Sequence, residues 1–172
     1  MKKLVSIIII VLSIASCQQS QKIGFVDNSV LINDYQEKKE VEAKIKAKIE
    51  VYEKRRDSLS QAFQLEVKAA EVKARSMSQA NLQKLQQEFQ QKEQIISQQL
   101  QFEQQQISQE SQSNNDSLIK KVRDFVKDYG KTNGYNFILG SNEAGSVMYG
   151  TEEVDLTQTV LEALNEAYKN KK

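Results

Sequence analysis

The chain has 172 residues, with 24 Lys and Arg against 23 Asp and Glu, one cysteine, and neither histidine nor proline. The missing histidine excludes Ser-His-Asp and Cys-His catalysis and every imidazole metal site, and a single cysteine excludes an intrachain disulfide. A formal net charge of +1 gives no broad basic field for nucleic acid.

Met1-Lys2-Lys3 followed by the apolar run Leu4 to Ile14 has the form of a secretory signal, too short for a membrane span. It ends in Ile14-Ala15-Ser16-Cys17, and small residues before a cysteine resemble the lipobox of bacterial lipoproteins. The expected organisation is therefore a signal peptide over residues 1–16, then a lipidated Cys17 and a polar tether over residues 17–21. Several acyl chains on Cys17 would anchor the protein firmly, whereas one chain binds marginally. Gln18 stands where an aspartate would retain a lipoprotein at the inner membrane, which points to the periplasmic face of the outer membrane. Without residues 1–16 the basic count falls from 24 to 22 by loss of Lys2 and Lys3, against 23 acidic residues, for a net charge near −1.

Lys22 to Asp27 has the β-branched and aromatic content of a strand, and Asn28 or Ser29 is placed to cap a short helix carrying Val30, Leu31 and Ile32. Residues 35–129 then form one long polar stretch with no glycine and no proline. In its first part Ile45, Ile49, Tyr52, Leu59, Phe63, Ala70 and Met77 follow a thin heptad rhythm, with Arg56 at one expected place. In its second part Leu85, Ile96, Ile107, Leu118 and Tyr129 recur every eleven residues, and Phe89, Leu100 and Val122 follow four residues later with Ser111 at the vacant place. A single rod of this length would reach about 140 Å, so a fold-back into a helical hairpin is expected, with its turn near 76–79 where Ser76 and Ser78 can cap helix ends.

Between Gln36 and Arg75 eleven basic residues face eight acidic ones, which makes the first arm the more basic. The second arm holds fifteen glutamines between Gln79 and Gln112, good helix formers that offer donors and acceptors without charge. Phe63, Met77, Leu82, Leu85 and Phe89 cluster around the proposed tip. They are candidates both for packing the seam between the arms and for loose binding of many partners. Asp57-Ser58-Leu59 and Asp116-Ser117-Leu118 resemble a short acceptor pattern for O-glycans on exported bacterial proteins, making Ser58 and Ser117 candidate modification sites.

After Gly130 the chain becomes strand-like again at Tyr135 to Gly140, and Ser146 to Tyr149 is expected to complete a β-hairpin over the loop 141–145. Glu152, Glu153 and Asp155 lack the spacing of a calcium loop and read as a solvated turn. Asp155-Leu156-Thr157-Gln158 has the form of a capping box, and Leu156, Val160, Leu164 and Tyr168 mark the buried face of a terminal helix. Residues 22–34 and 130–172 are thus expected to build one small α/β body from which the hairpin projects. A core that small, divided between two termini, is expected to be completed by oligomerisation.

This order of parts resembles the Skp/OmpH family of periplasmic chaperones. The resemblance rests on the strand Ile23 to Asp27, the short helix through Asn33, the long helical arms, Tyr135 to Leu139, and the Val154-Asp155-Leu156-Thr157 entry to the last helix. It implies an α+β fold assembling as a jellyfish-like homotrimer, with a small β-rich body and antiparallel coiled-coil tentacles around a cavity for unfolded outer-membrane proteins. It implies a holdase and no catalysed reaction. The absence of a phosphate-binding glycine loop implies no ATP dependence, and no cofactor is expected. The chain departs from the family's best-known members in its predicted lipid anchor and its near-neutral charge. The alternative is a coiled-coil envelope scaffold or tether, suggested by the C-terminal Asn170-Lys171-Lys172, which is similar to lipoproteins joined to peptidoglycan through a terminal lysine.

Overall fold

The computed structural model describes residues 21–142 and 146–171. The predicted signal peptide and Cys17 lie outside the described residues. The first element, β1 (Ile23–Asp27), leads directly into α1 (Asn28–Asp34). The cap of α1 is Asp27, not Asn28 or Ser29: its carboxylate accepts from the Ser29 and Val30 amides at 2.8 and 3.1 Å, satisfying two of the helix's free donors.

Two long helices follow, α2 (Gln36–Ala74) and α3 (Gln79–Thr132). At 1.5 Å per residue they run roughly 60 and 80 Å. They part at Arg75 to Ser78, where the Ser76 hydroxyl donates to the Lys73 carbonyl at 3.0 Å and so closes α2; Ser78 occupies the N-cap place of α3 without a side-chain bond. Helix α3 continues through Gly130, where a Cβ would lie 3.2 Å from the Ile138 side chain, so glycine lets the strand approach the helix. The helix ends at Thr132; two residues on, Gly134 with a φ of 70° reverses the chain, and the Tyr135 amide donates back to the Gly130 carbonyl at 2.9 Å.

The chain then enters β2 (Phe137–Ser141), which pairs with β1 in parallel, Ile23 opposite Phe137 and Asp27 opposite Ser141. Parallel strands need a crossover, and here the whole hairpin is that crossover. The expected β-hairpin with Ser146 to Tyr149 does not form: among the described residues the sheet has two strands, and this segment is not a strand. Strand β2 instead finds its partner more than a hundred residues back, where Val26 and Ile138 can close over the same core as α4 (Thr157–Lys169).

Helix α4 carries the amphipathic face expected of it. Leu156, Val160 and Leu164 are buried with Leu161, and Tyr168 is half-buried against the same cluster. Its start differs from a capping box. Asp155 accepts from the Thr157 amide at 2.8 Å, and the Thr157 hydroxyl accepts from the Asp27 amide at 2.9 Å, so the entry to α4 is tied to the end of β1 rather than to Gln158. Leu31, Val26 and Val160, the most fully enclosed side chains, come from both termini, and Leu118 and Val122 of α3 close the cluster. The fold is a small α+β body from which an antiparallel helical hairpin projects.

Candidate functional site

The hairpin is the molecule's largest surface, and two kinds of contact hold its arms together. Along the seam, Ile45 is buried and Tyr52, Leu59, Phe63, Leu85, Ile96, Leu100 and Ile107 are half-buried, while the Phe63 and Phe89 rings meet edge to face at 5.8 Å. Beside the seam runs a ladder of ion pairs: Glu37 with Lys121, Lys48 with Glu110, Arg55 with Glu103 at 3.1 Å, and Glu66 with Lys92. The residue numbers of every pair in this ladder add to the same value, 158, so the arms keep one register from base to beyond mid-length. The pairs advance by eleven, seven and eleven residues, so positions eighteen apart repeat, and eighteen residues are five turns of 3.6. The ladder therefore stays on one face of each arm, its steps alternating between eleven and seven residues.

The five candidate binding residues Phe63, Met77, Leu82, Leu85 and Phe89 all lie half-buried between or at the ends of the arms. The structure brings Phe63 and Phe89 into contact, and Met77 sits in the turn. Different residues carry the exposed apolar surface. Val51, Leu65 and Val72 of α2 are each about two-thirds exposed, as are Ile95 and Phe102 of α3. Val51, Leu65 and Val72 fall on one seven-residue line, and so do Ile95 and Phe102. Val51 borders the same groove as Lys48, Glu103 and Glu110, and Phe102 precedes Glu103. The line therefore follows the ion-pair flank. The opposite flank carries Glu53, Arg56, Gln104 and Ser108, with Ile49 as its partly exposed apolar side chain. A second heptad line one position before Tyr52 was the available sequence signal; a search for seam positions passes over it, because one residue turns a helix by about 100°. Ser58 and Ser117 are both exposed on the arms.

At the base the arms join the body through Tyr35. Its ring packs edge to face on Tyr168 at 5.8 Å, and its hydroxyl donates to Glu37 at 2.6 Å. The Gln36 amide donates to Asn165 at 2.8 Å, and Tyr168 donates to Glu40 at 2.9 Å. Burial, then the bond to Glu37, push the Tyr35 phenol above its ordinary value. Burial opposes the charge on Glu37, but the bonds from Lys121 and Tyr35 outweigh it and hold that carboxyl below 4.5. A carboxyl with a depressed folded-state pKa stabilises above its unfolded value, and that contribution is lost as pH falls through the folded one. Glu37→Gln is expected to flatten the acid limb of stability, read as the difference between urea midpoints at pH 7 and pH 3. An unchanged difference would remove Glu37 from the acid response.

Among the described residues no three His, Cys, Asp or Glu side chains converge as a metal set, and no helix is long and apolar enough to cross a membrane. The site offers instead a long polar hairpin with one apolar flank, carried on a small body. The family model described as outer membrane protein (OmpH-like) matches residues 22–164. The chain belongs to the OmpH-like family. Among solved structures, this OmpH-like chain is similar to a Caulobacter crescentus CB15 protein solved as a candidate OmpH-like outer membrane chaperone. The TM-score is 0.75 at 16% identity over 88% of each chain, a likeness of fold. No curated protein matches the chain.

Proposed function

We propose that this OmpH-like protein is an ATP-independent periplasmic holdase that binds unfolded outer-membrane proteins between its helical arms and prevents their aggregation. The observation that carries this reading is the apolar flank of Val51, Leu65, Val72, Ile95 and Phe102 on an otherwise polar hairpin. Five separated side chains give many weak contacts and no deep pocket, which suits transient binding of unrelated extended chains. The half-buried seam residues Phe63, Met77, Leu82, Leu85 and Phe89 add to that surface when the arms splay.

The working form is a homotrimer whose arms surround one client. Support comes from the sheet, where Ile23, Phe137 and Leu139 are each roughly half exposed on the face turned away from the core. Apolar surface of that kind marks an interaction site. The protein is held at the periplasmic face of the outer membrane through lipid on Cys17. Cys17→Ser is expected to move it from the membrane to the soluble fraction without loss of helical content; retention in the membrane fraction would refute the anchor.

The direct test dilutes a urea-unfolded β-barrel outer-membrane protein into buffer without nucleotide and follows light scattering. About one trimer per client is expected to suppress aggregation, and added ATP is expected to change nothing. Unimpeded aggregation at several trimers per client would overturn the reading.

A further inference from the structure

The start of β1 and the end of α3 meet at one pole of the body. The Lys22 amide donates to the Asn136 side chain at 2.8 Å, and its ammonium, 4.0 Å from the centre of the Tyr135 ring, donates to the Asn133 carbonyl at 2.9 Å. By the register of the ladder Gln36 faces Val122, and α3 continues ten residues farther, from 122 to 132, or about 15 Å beyond the base of α2. This pole is therefore the end of the body farthest from the turn at Arg75 to Ser78, with about 80 Å of α3 between them.

The rest of the body leads away from the pole. Strand β1 runs from it toward α1 and Tyr35 at the base of α2, and α4 runs the same way: Thr157 at its start bonds Asp27, whereas Asn165 and Tyr168 near its end bond Gln36 and Glu40. Lys171 borders the same hollow as Glu37 and Lys121. Lys22 and Lys171 thus stand on opposite sides of the body, one at the pole and one beside the arms. The pole is cationic and open to solvent. Lys22, Lys127 and Lys131 are exposed there together with Asn133 and Gly134, and the carboxylate of Asp128 lies 3.9 Å from Lys131.

Lys22 stands five residue steps after Cys17. Five steps span at most about 18 Å however they are arranged, so lipid on Cys17 holds the pole within that distance of the bilayer. We propose that this pole rests on the lipid surface, with Lys127 and Lys131 facing phosphate-bearing headgroups, and that the arms point away from the membrane that anchors them. Three anchors set around one rotation axis hold that axis upright, and the space between the arms then opens away from the membrane. The inference rests on the reading above for the lipid on Cys17 and for the assembly of three copies.

The test inserts the lipidated full chain from outside into preformed vesicles of phosphatidylcholine and phosphatidylglycerol. A membrane-impermeant acylating reagent then reads the exposure of each lysine by peptide mass, with the Cys17→Ser chain in free solution as reference. Lys127 and Lys131 are expected to lose reactivity by about fivefold or more on the vesicles, while Lys68, Lys73 and Lys84 around the tip stay unchanged. A second reading uses Thr132→Cys or Ser78→Cys, each the one free thiol beside a lipidated Cys17, labelled with a donor dye. Energy transfer to acceptor-labelled headgroups is expected to be strong from position 132 and absent from position 78, about 80 Å away. Pole lysines as reactive as in free solution, or protection and transfer at the tip, overturn the orientation alone. A chain whose mass shows no lipid on Cys17, or that does not float with the vesicles, overturns it together with the anchor. The expected pattern in a chain that fails to protect an unfolded client supports the orientation and counts against the holdase.

Discussion

Removing Tyr52 to Gln106 and joining Val51 to Ile107 through a short Gly/Asn turn is expected to leave a folded body that assembles but no longer protects a client. The cut follows the register of the hairpin: 51 and 107 add to the same value as the ladder pairs, so the stumps face each other and the Glu37–Lys121 pair at the base survives. The core of Val26, Leu31, Leu118, Val122 and Val160 lies wholly outside the deletion. Four of the five residues of the exposed apolar line go with it, leaving Val51 alone at the new turn. Because binding is spread over many weak contacts, their joint removal is expected to raise the amount of protein needed to suppress aggregation by at least about tenfold. Suppression equal to that of the full chain would show that the arms are not the binding element and would bring the scaffold reading forward.

The second large effect lies in the body. Leu31 is fully enclosed, packed where the first helix meets the last, and Leu31→Ala removes its side chain from a core that has few others. Truncations of this kind cost about 2–5 kcal/mol, the upper end applying where neighbours cannot collapse into the space. Here the neighbours Val160 and Leu164 are fixed by α4, and Val26 by the paired strand. Urea unfolding monitored by circular dichroism should therefore show a loss within that range. A loss under about 1 kcal/mol would mean that the core repacks around the gap.

The parts of the fold that local pattern dictates were readable from residues. The eleven-residue rows of α3, the buried face of α4 and the strand character of Ile23 to Asp27 each follow from spacing within one element. What spacing could not supply was the pairing of elements far apart. Tyr135 to Gly140 looks like half of a hairpin with Ser146 to Tyr149, since nearby strands usually pair, yet β1 offers it Val26 and a shared core. The choice between Asp27 and Asn28 as the cap of α1 depended on where the strand ended, which is a tertiary matter. The exposed line from Val51 to Phe102 was hidden for another reason. Its residues are too few on any one turn to raise the apolar signal above the seam beside them.

The constant sum of the ladder pairs makes the reach of the arms a quantity that can change in steps. Inserting eighteen residues into each arm at facing positions, say after Arg55 and before Glu103, would lengthen the hairpin by roughly 27 Å and return every side chain to its original azimuth. Eleven or seven residues in each arm would nearly do so. An insertion in one arm alone would shift every pair beyond it and set like charges or glutamines opposite the cations. Length is thus adjustable only by matched additions, and the body need not change at all. Arms built this way gain reach by duplicating a stretch of helix on both sides of the same turn.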